Sequence, residues 1–261
     1  MTVAQLVGQF GAQHVTAFFL VLARVSPLFV LSPLFSSKNI PGRVRGIVAV
    51  AIAIGLSPVV ARGHAISGDP WQLAGLIGKE LLVGMAFAFA LGALFAAIQV
   101  AGSFLDTLIG FSYGGLIDPI TGNQSSVITQ LYSLVGVLVF IAIDGDAWVI
   151  RGLARTYDLV GVTQWPDVGR IVGGAVSAFA QIFTAAIEVA GPVVLALIIT
   201  DAAFGVVSRV VPQLNVFAVG FPAKVVVGLL LLGVSLPFTA QWLAGELQQD
   251  VGAALQTLRI A

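Results

Sequence analysis

The sequence predicts an all-helical integral membrane protein. Only 9% of its 261 residues are charged and 58% are hydrophobic, whereas about a quarter of the residues of a soluble domain are charged. The hydrophobic residues are gathered in long blocks, and such blocks are helices in lipid because a helix satisfies its own backbone hydrogen bonds. Twelve basic and twelve acidic side chains balance each other, so the charge pattern gives no indication of a nucleic-acid partner.

The first half of the chain contains three hydrophobic blocks. Residues 15–35 form the first block, which contains Arg24, and a basic turn follows at 36–45. Residues 46–61 are short for a spanning helix. Residues 71–104 are far longer than the ~20 residues that a bilayer requires.

The second half repeats this pattern of long blocks and polar breaks. Residues 127–150 are apolar around an Asp-Gly-Asp turn at 144–146, and residues 171–204 form another very long block. The last block is 216–243, and the tail 244–261 has apolar residues at helical spacing, which predicts an amphipathic helix.

The polar segment in the middle of the chain is predicted to be a loop at about 105–126, and we call residues 110–126 the central stretch. Glycines and an Asp-Pro pair interrupt any continuous helix here: Gly110, Gly114, Gly115, Gly122 and Asp118-Pro119. Backbone groups released from a helix need hydrogen bonds from protein or water. The segment is therefore either a surface loop or a segment held inside protein that lines a path.

A second break is predicted at about 208–215, and each break connects a very long helix to a returning one. This arrangement predicts two helical hairpins within a single membrane domain spanning residues 1–261. Basic residues in the connecting segments show no bias to either side of six simple spans, so we expect several hairpins not to cross the bilayer as simple spans. Paired broken helices also occur in secondary transporters, which leaves a transporter with sites at the two breaks as an alternative.

Six charged residues lie within hydrophobic blocks, where charges normally face protein or water. They are Arg24, Lys79, Glu80, Glu188, Asp201 and Lys224. Lys79 and Glu80 are adjacent and point about 100° apart on a helix, so they are predicted not to pair well with each other. Each is expected to find a partner on another helix or chain. Glu188 and Asp201 are interpreted either as a proton relay or as members of structural ion pairs.

The sequence contains no combination of residues that indicates an enzyme. It has no cysteine and two histidines, His14 and His64, without a second ligand at metal spacing. Nucleotide-binding, nucleophile-elbow and zinc-protease motifs are missing, and Ser112, Ser125 and Ser126 have no plausible base nearby. We therefore expect no enzymatic activity, no metal site and no cofactor.

Several motifs give the chain a resemblance to a known family. The segment Arg209-Val-Val-Pro212-Gln213-Leu-Asn215-Val-Phe217-Ala-Val-Gly220-Phe221-Pro222 closely resembles a signature of the FliR family, the export-gate proteins of flagellar type III secretion. Its end resembles the flagellar rather than the injectisome (SctT) branch. Other motifs agree in order: Arg24 with Pro27 and Pro33, Ile40-Pro41, Val44-Arg45, Lys79-Glu80 with Gly84, Ala101-Gly102, Gly110-Phe111-Ser112 and Asp118-Pro119. Asp146 departs from the family pattern, where histidine is common.

The resemblance implies a non-enzymatic subunit of the flagellar export gate in the bacterial inner membrane, at the flagellar basal body. Its expected partners are two smaller export-gate membrane proteins in a hetero-oligomer, other membrane components of the export apparatus, and membrane lipid. Unfolded flagellar proteins would pass through the gate. An injectisome export gate is the alternative within the same resemblance.

The resemblance also assigns roles to three groups of residues. In the family the central loop lies in the pore and helps to plug it, which implies a pore plug of Gly110, Phe111, Ser112, Tyr113, Asp118 and Pro119. The second break is predicted to be a structural turn of the gate, with Arg209, Pro212, Gln213, Asn215, Phe217 and Pro222. Arg24, Lys79, Glu80 and Glu188 are predicted to serve assembly or to act as intramembrane charges.

Overall fold

The computed structural model describes residues 3–32, 35, 40–61, 69–111, 127–211 and 216–257, and all regular structure in these residues is helical. The all-helical prediction is confirmed. The helices are α1 Val3–Leu31, α2 Gly42–Ala61, α3 Pro70–Ile109, α4 Val127–Ala142, α5 Gly145–Leu159, α6 Val168–Val210 and α7 Val216–Thr257.

Four of the described helices are long and apolar enough to cross a membrane. They are α1 over His14–Leu31, α3, α6, and α7 over Ala218–Leu247, and the pair α4 and α5 provides a fifth if it counts as one broken span. The helices α3, α6 and α7 contain 40, 43 and 42 residues. At 1.5 Å per residue each is about 60 Å long, twice the ~30 Å of the hydrocarbon layer.

Two compact units make up the chain. Unit 1 contains Met1–Ala93, Asp144–Phe179 and Leu247–Ala261, and unit 2 contains Leu94–Ile143 and Ala180–Glu246. In unit 1, α1 packs against α2, and α2 contacts α5. The start of α3 and the end of α5 are joined by apolar packing of Val83 against Val160, with Ile171 of α6 alongside.

Helices α1 and α3 of unit 1 approach each other closely at Gly84 of α3. A Cβ atom at this position would lie 2.2 Å from the backbone oxygen of Arg24 in α1, far inside van der Waals contact. Small residues let membrane helices approach closely, and the backbone of α1 lies against Gly84. A side chain here would separate the two helices.

In unit 2, the end of α3 and the whole of α4, which the central stretch connects, form an antiparallel hairpin. The ring of Phe95 packs against Phe140, and further along the hairpin a Cβ atom on Gly102 would lie 2.8 Å from Thr129 Cα. The first predicted hairpin is therefore present. Helix α3 continues through Ile109, into the predicted loop, with Thr107 hydrogen-bonded to Ser103 of its own helix.

The second predicted hairpin consists of α6 and α7 in the same unit. Lys224 of α7 pairs with Asp201 of α6, and further from the break Trp242 of α7 donates to Glu188 of α6. The pairing order is antiparallel. Helix α6 continues to Val210, so it includes the first residues of the predicted break.

The predicted turn at 144–146 separates α4 from α5. Asp144 has φ 53° and ψ 43°, the left-handed conformation that aspartate tolerates better than most residues. Its backbone oxygen accepts hydrogen bonds from Ala147 and Trp148 in the first turn of α5. Asp144 is thus the residue at which the chain leaves α4 and enters α5.

We expect Gly84→Ala to destabilise the packing of α1 on α3 by about 1–3 kcal/mol, the usual cost of overpacking a closed interface. The measurement is the amount of protein retained in membranes, together with its thermal aggregation midpoint in detergent. Gly78→Ala on the same helix is the matched control, because no atom lies within 4 Å of its added Cβ. That change should be neutral or slightly stabilising, since alanine favours helix over glycine. Equal behaviour of the two variants would contradict the close approach.

Candidate functional site

A buried charge cluster connects three segments of unit 1. Arg24 lies in the apolar part of α1, and its side chain is completely buried, as is that of Glu80 on α3. Arg24 Nε donates to Glu80 Oε2, and Nη2 donates to Glu80 Oε1 at 3.0 Å. This two-pronged geometry is the strongest form of ion pair between these side chains.

The Arg24 guanidinium makes two further hydrogen bonds, to α5 and to the residue after it. Nη1 donates to Thr156 Oγ1 at 3.0 Å, and Nη2 donates to the backbone oxygen of Val160 at 3.0 Å. The ring of Tyr157 lies 3.8 Å from the guanidinium carbon, a cation–π contact. The guanidinium therefore has hydrogen-bond acceptors along its edge and an aromatic ring against it.

Lys79 completes the cluster, and here one prediction is wrong. Its Nζ lies 2.9 Å from Glu80 Oε1, so the two adjacent residues pair after all. Their long side chains converge because the partners of both lie close together: Arg24 for Glu80, and the backbone oxygens of Gly161 and Val162 for Lys79. Lys79 Nζ also donates to the backbone oxygens of Gly161 at 2.8 Å and Val162 at 2.6 Å. The expectation of a partner on another helix holds for Glu80, whose partner is Arg24.

The cluster holds two cations and one carboxylate, so it carries an excess of positive charge. That excess lies against the carboxyl end of α5, which ends at Leu159. A helix carboxyl end has partial negative charge, and the last carbonyls lack helical partners. The backbone oxygens of Val160, Gly161 and Val162 accept hydrogen bonds from Arg24 and Lys79, and their partial negative charge offsets part of that excess. This arrangement fixes α1, α3 and the end of α5 against each other.

The described part of the predicted plug lies at the end of α3. Gly110 has φ 102°, which favours glycine, and its N–H donates to the backbone oxygen of Asp106 at 2.9 Å. Phe111 follows and is half-buried. The other predicted plug residues lie outside the described residues: Ser112, Tyr113, Asp118 and Pro119.

The sequence analysis missed Asp106, the buried acidic residue next to the central stretch. It is 1% exposed. Asp106 Oδ1 accepts from Ile128 N–H at 3.4 Å, and Oδ2 accepts from the Thr129 hydroxyl at 3.4 Å, both in the first turn of α4. A signal was present, because an acidic residue one turn before a helix-ending glycine can cap a returning helix.

At the second break the structure describes both flanks. Arg209 is exposed in the last turn of α6, where a cation complements the helix dipole. Pro222, predicted as part of the turn, lies inside α7 instead. Phe217 is in the first turn of α7. The predicted turn residues Pro212, Gln213 and Asn215 lie outside the described residues.

The remaining intramembrane charges lie on the hairpin of α6 and α7. Lys224 Nζ lies 2.6 Å from Asp201 Oδ2, which favours the structural ion pair over the proton relay for Asp201. Glu188 accepts from Trp242 Nε1 at 3.2 Å. Glu188 is exposed near the middle of α6.

These features define a class of protein: a helical membrane protein of long hairpins, held together by buried charges. The particular family follows from sequence comparison. The family described as "Bacterial export proteins, family 1" matches residues 15–249, and the chain belongs to this family. The predicted resemblance to FliR proteins is confirmed.

Relatives with flagellar names cover most of the chain. It is 34% identical over 223 residues to "Flagellar biosynthetic protein FliR" of Bacillus subtilis, with 84% of this chain and 86% of the relative covered. The protein of the same name in Escherichia coli is 26% identical, with 85% of each chain covered. "Yop proteins translocation protein T" of Yersinia pestis is 27% identical, with 82% of this chain and 83% of the relative covered.

We expect Glu80→Gln to destabilise the protein strongly, because it leaves Arg24 and Lys79 buried without a carboxylate. Removing one partner of a buried pair costs about 3–5 kcal/mol. Lys79→Met should cost less, since it leaves the pair of Arg24 and Glu80 intact. Membrane abundance and the thermal aggregation midpoint in detergent measure the difference.

The exposed pair of Arg170 and Asp167, 3.6 Å apart, provides the control for this comparison. Asp167→Asn should cost about 0–1 kcal/mol, as is usual for surface ion pairs. A Glu80→Gln protein as abundant and as heat-resistant as the Asp167→Asn protein would show that the cluster does not stabilise unit 1.

Proposed function

We propose that this chain is a non-enzymatic subunit of the flagellar type III protein-export gate in the bacterial inner membrane. In this role it forms part of the channel through which unfolded flagellar proteins cross. The observation that carries the proposal is the family match over residues 15–249 together with flagellar relatives that cover more than four fifths of the chain. The buried polar groups described above join helices to each other, which suits a channel subunit.

The flagellar branch is favoured over the injectisome branch. Identity is 34% with the flagellar protein of Bacillus subtilis and 27% with the Yersinia pestis protein. The Gly220-Phe221-Pro222 motif in α7 resembles the flagellar branch as well. Restoration of motility in a strain that lacks its own flagellar gate subunit tests this choice.

The exposed faces of α6 and α7 support assembly with partner membrane proteins. Large apolar side chains remain exposed along both helices, among them Ile187, Leu195, Val226, Leu230 and Val234. The carboxylate of Glu188 is exposed among them, although lipid offers no hydrogen bonds to a charged group. Two smaller gate proteins in a hetero-oligomer would cover these faces.

Coexpression with the two smaller gate proteins is expected to raise the membrane abundance of this chain severalfold, because partners cover apolar faces that otherwise promote aggregation or degradation. Quantitative blotting and size-exclusion chromatography in detergent measure the change. An unrelated pair of small membrane proteins at equal expression is the control. A stable, monodisperse protein without partners would contradict the proposed assembly.

The central stretch is proposed to act as the plug of this channel. It connects the end of α3 to the start of α4, and these two helices pack closely against each other at Gly102. Gly110 at its start has a backbone conformation that favours glycine. Phe111 and Tyr113 add apolar bulk, and apolar constrictions in channels exclude water and ions.

Deleting residues 112–122, or changing Phe111 and Tyr113 to alanine, should make membranes that contain the assembled gate permeable to ions and small solutes. Conductance or solute uptake at matched gate levels measures this. Phe19→Ala, which removes an exposed aromatic ring from α1, is the control and should leave the membrane sealed. Unchanged permeability in the deletion variant would remove the plug role from this segment.

A further inference from the structure

Glu188 presents several hydrogen-bond acceptors together on the surface of α6. Its carboxylate is exposed and accepts a hydrogen bond from Trp242 Nε1 at 3.2 Å. Pro192 lies four residues later inside the same helix, and because proline has no N–H, the backbone oxygen of Glu188 lacks its α-helical donor. These oxygens lie in a helix that is apolar enough to cross a membrane, and lipid offers a hydrogen-bond donor to none of them.

The charge of Glu188 is not neutralised by a cation from the described residues of this chain. The ion pairs among those residues involve other carboxylates: Glu80, Asp167 and Asp201. A second carboxylate adds to the negative charge, because Glu246 follows Trp242 by four residues on α7, and residues at this spacing share a helix face. The charges of Glu246 and Glu188 interact. This side of the α6–α7 hairpin therefore lacks a positive charge.

Beside Glu188, α6 carries a row of side chains at the spacing of helix packing. We call this row the α6 seam, and it consists of Ala180, Thr184, Ile187 and Gly191. Steps of four, three and four residues follow the seven-residue repeat by which two helices pack along each other. Three of the four residues are exposed, and a Cβ atom on Gly191 would have no atom within 4 Å. The seam is thus open in the described part of the chain, and its small residues permit close approach.

Gln181 and Glu188 flank the seam seven residues apart, at equivalent positions of the repeat. In paired helices this flanking position carries polar and charged side chains that bond across the interface. Both side chains are exposed. Glu188 is therefore placed where the side chain of a helix in the seam can reach its carboxylate.

A helix suits this surface better than lipid or water does. Lipid would leave the carboxylate of Glu188 uncompensated. A water-filled path favours a broad polar face, whereas the neighbouring side chains of Phe183 and Leu195 are apolar and exposed. A second helix with a basic side chain covers these apolar groups and supplies the missing positive charge.

We propose that the α6 seam binds a membrane helix of a partner subunit and that Glu188 pairs with an arginine or lysine within that helix. Arginine has five hydrogen-bond donors and lysine three, which is enough for the carboxylate and the backbone oxygen of Glu188. The inference rests on the proposed function, in which the helix belongs to one of the two smaller gate proteins. It assigns to that partner a basic residue in the middle of an apolar segment.

Disulfide formation in membranes that hold the complete gate identifies the partner helix. This chain has no cysteine, so Thr184→Cys gives a single thiol in the seam. The probes are single cysteines placed in turn along each apolar helix of the two gate proteins, in variants otherwise free of cysteine. We expect disulfides with one helix, at positions three or four residues apart, and an arginine or lysine of that helix level with Glu188. A disulfide-bonded helix without such a basic residue would overturn the ion pair.

A large side chain in the seam should exclude the partner. In Thr184→Phe we expect about tenfold less gate protein to copurify with this chain, at matched membrane abundance, because the ring occupies the space of the partner helix. Ser103→Phe on α3 is the matched control. Both parent residues are exposed and donate their hydroxyl to the backbone oxygen three residues earlier in their own helix. Equal copurification of the two variants would contradict the seam.

Charge reversal tests the ion pair directly. Glu188→Lys should reduce copurification about tenfold or more, because like charges then face each other. Glu188→Gln should give an intermediate result, since its amide oxygen still accepts from Trp242. Reversal of the partner's basic residue to glutamate should restore assembly with Glu188→Lys, and a failure to do so would overturn the pairing. If Glu188→Lys lowers the abundance of the chain itself, Glu188→Gln carries the comparison, and assembly equal to the parent would count against the pairing.

The outcomes distinguish this inference from the proposed function. If the parent chain copurifies with neither gate protein, the proposed function is refuted, and the assigned partner with it. If the parent copurifies normally but Thr184→Cys forms no disulfide with either protein, the seam is refuted and the proposed function stands. Labelling of the same thiol by a membrane-impermeant maleimide then identifies the occupant, because rapid labelling indicates water and slow labelling indicates lipid.

Discussion

The bidentate pair between Arg24 and Glu80 is the interaction on which the rest of unit 1 depends. Both side chains are fully buried, and a buried charge is costly unless a partner and further hydrogen bonds surround it. The pair forms only because Gly84, one turn after Glu80, admits the backbone of α1 at Arg24. With the guanidinium placed, Thr156 and Val160 accept two further hydrogen bonds from it, which fixes the end of α5 as well. Helix packing and charge pairing therefore require each other at this point.

Unit 2 uses the same combination of a glycine and a buried carboxylate for a different result. Gly102 brings α3 and α4 into backbone contact, and Asp106 one turn later meets the first turn of α4. In unit 1 the charges join three segments that are distant in sequence. In unit 2 the single carboxylate joins the two ends of one loop. The polar groups buried in these long apolar helices thus determine which helices meet and where a break begins and ends.

Much of this fold could be predicted from the sequence, and the failures have a common cause. Block lengths and breaks predicted both hairpins, since hydrophobic length and glycine or proline content are local properties. The pairing of Lys79 with Glu80 was predicted wrongly because direction on an isolated helix ignores what lies opposite, here Arg24 and the carbonyls at 160–162. Asp106 was missed because it lies just past the apolar block that defined α3. Pro222 was assigned to the turn, although a proline near the start of a helix is readily accommodated.

The length of the helices gives a last constraint on how the chain is surrounded. Helix α6 has 43 residues, and a hydrocarbon layer of ~30 Å accommodates about 20 of them. Half of the helix must therefore lie outside lipid. If water surrounded that half, its outer face would be polar, yet exposed apolar side chains continue from Val172 through Phe183 and Leu195 to Val206. Exposed apolar surface of this extent on a helix beyond the bilayer favours cover by other protein chains.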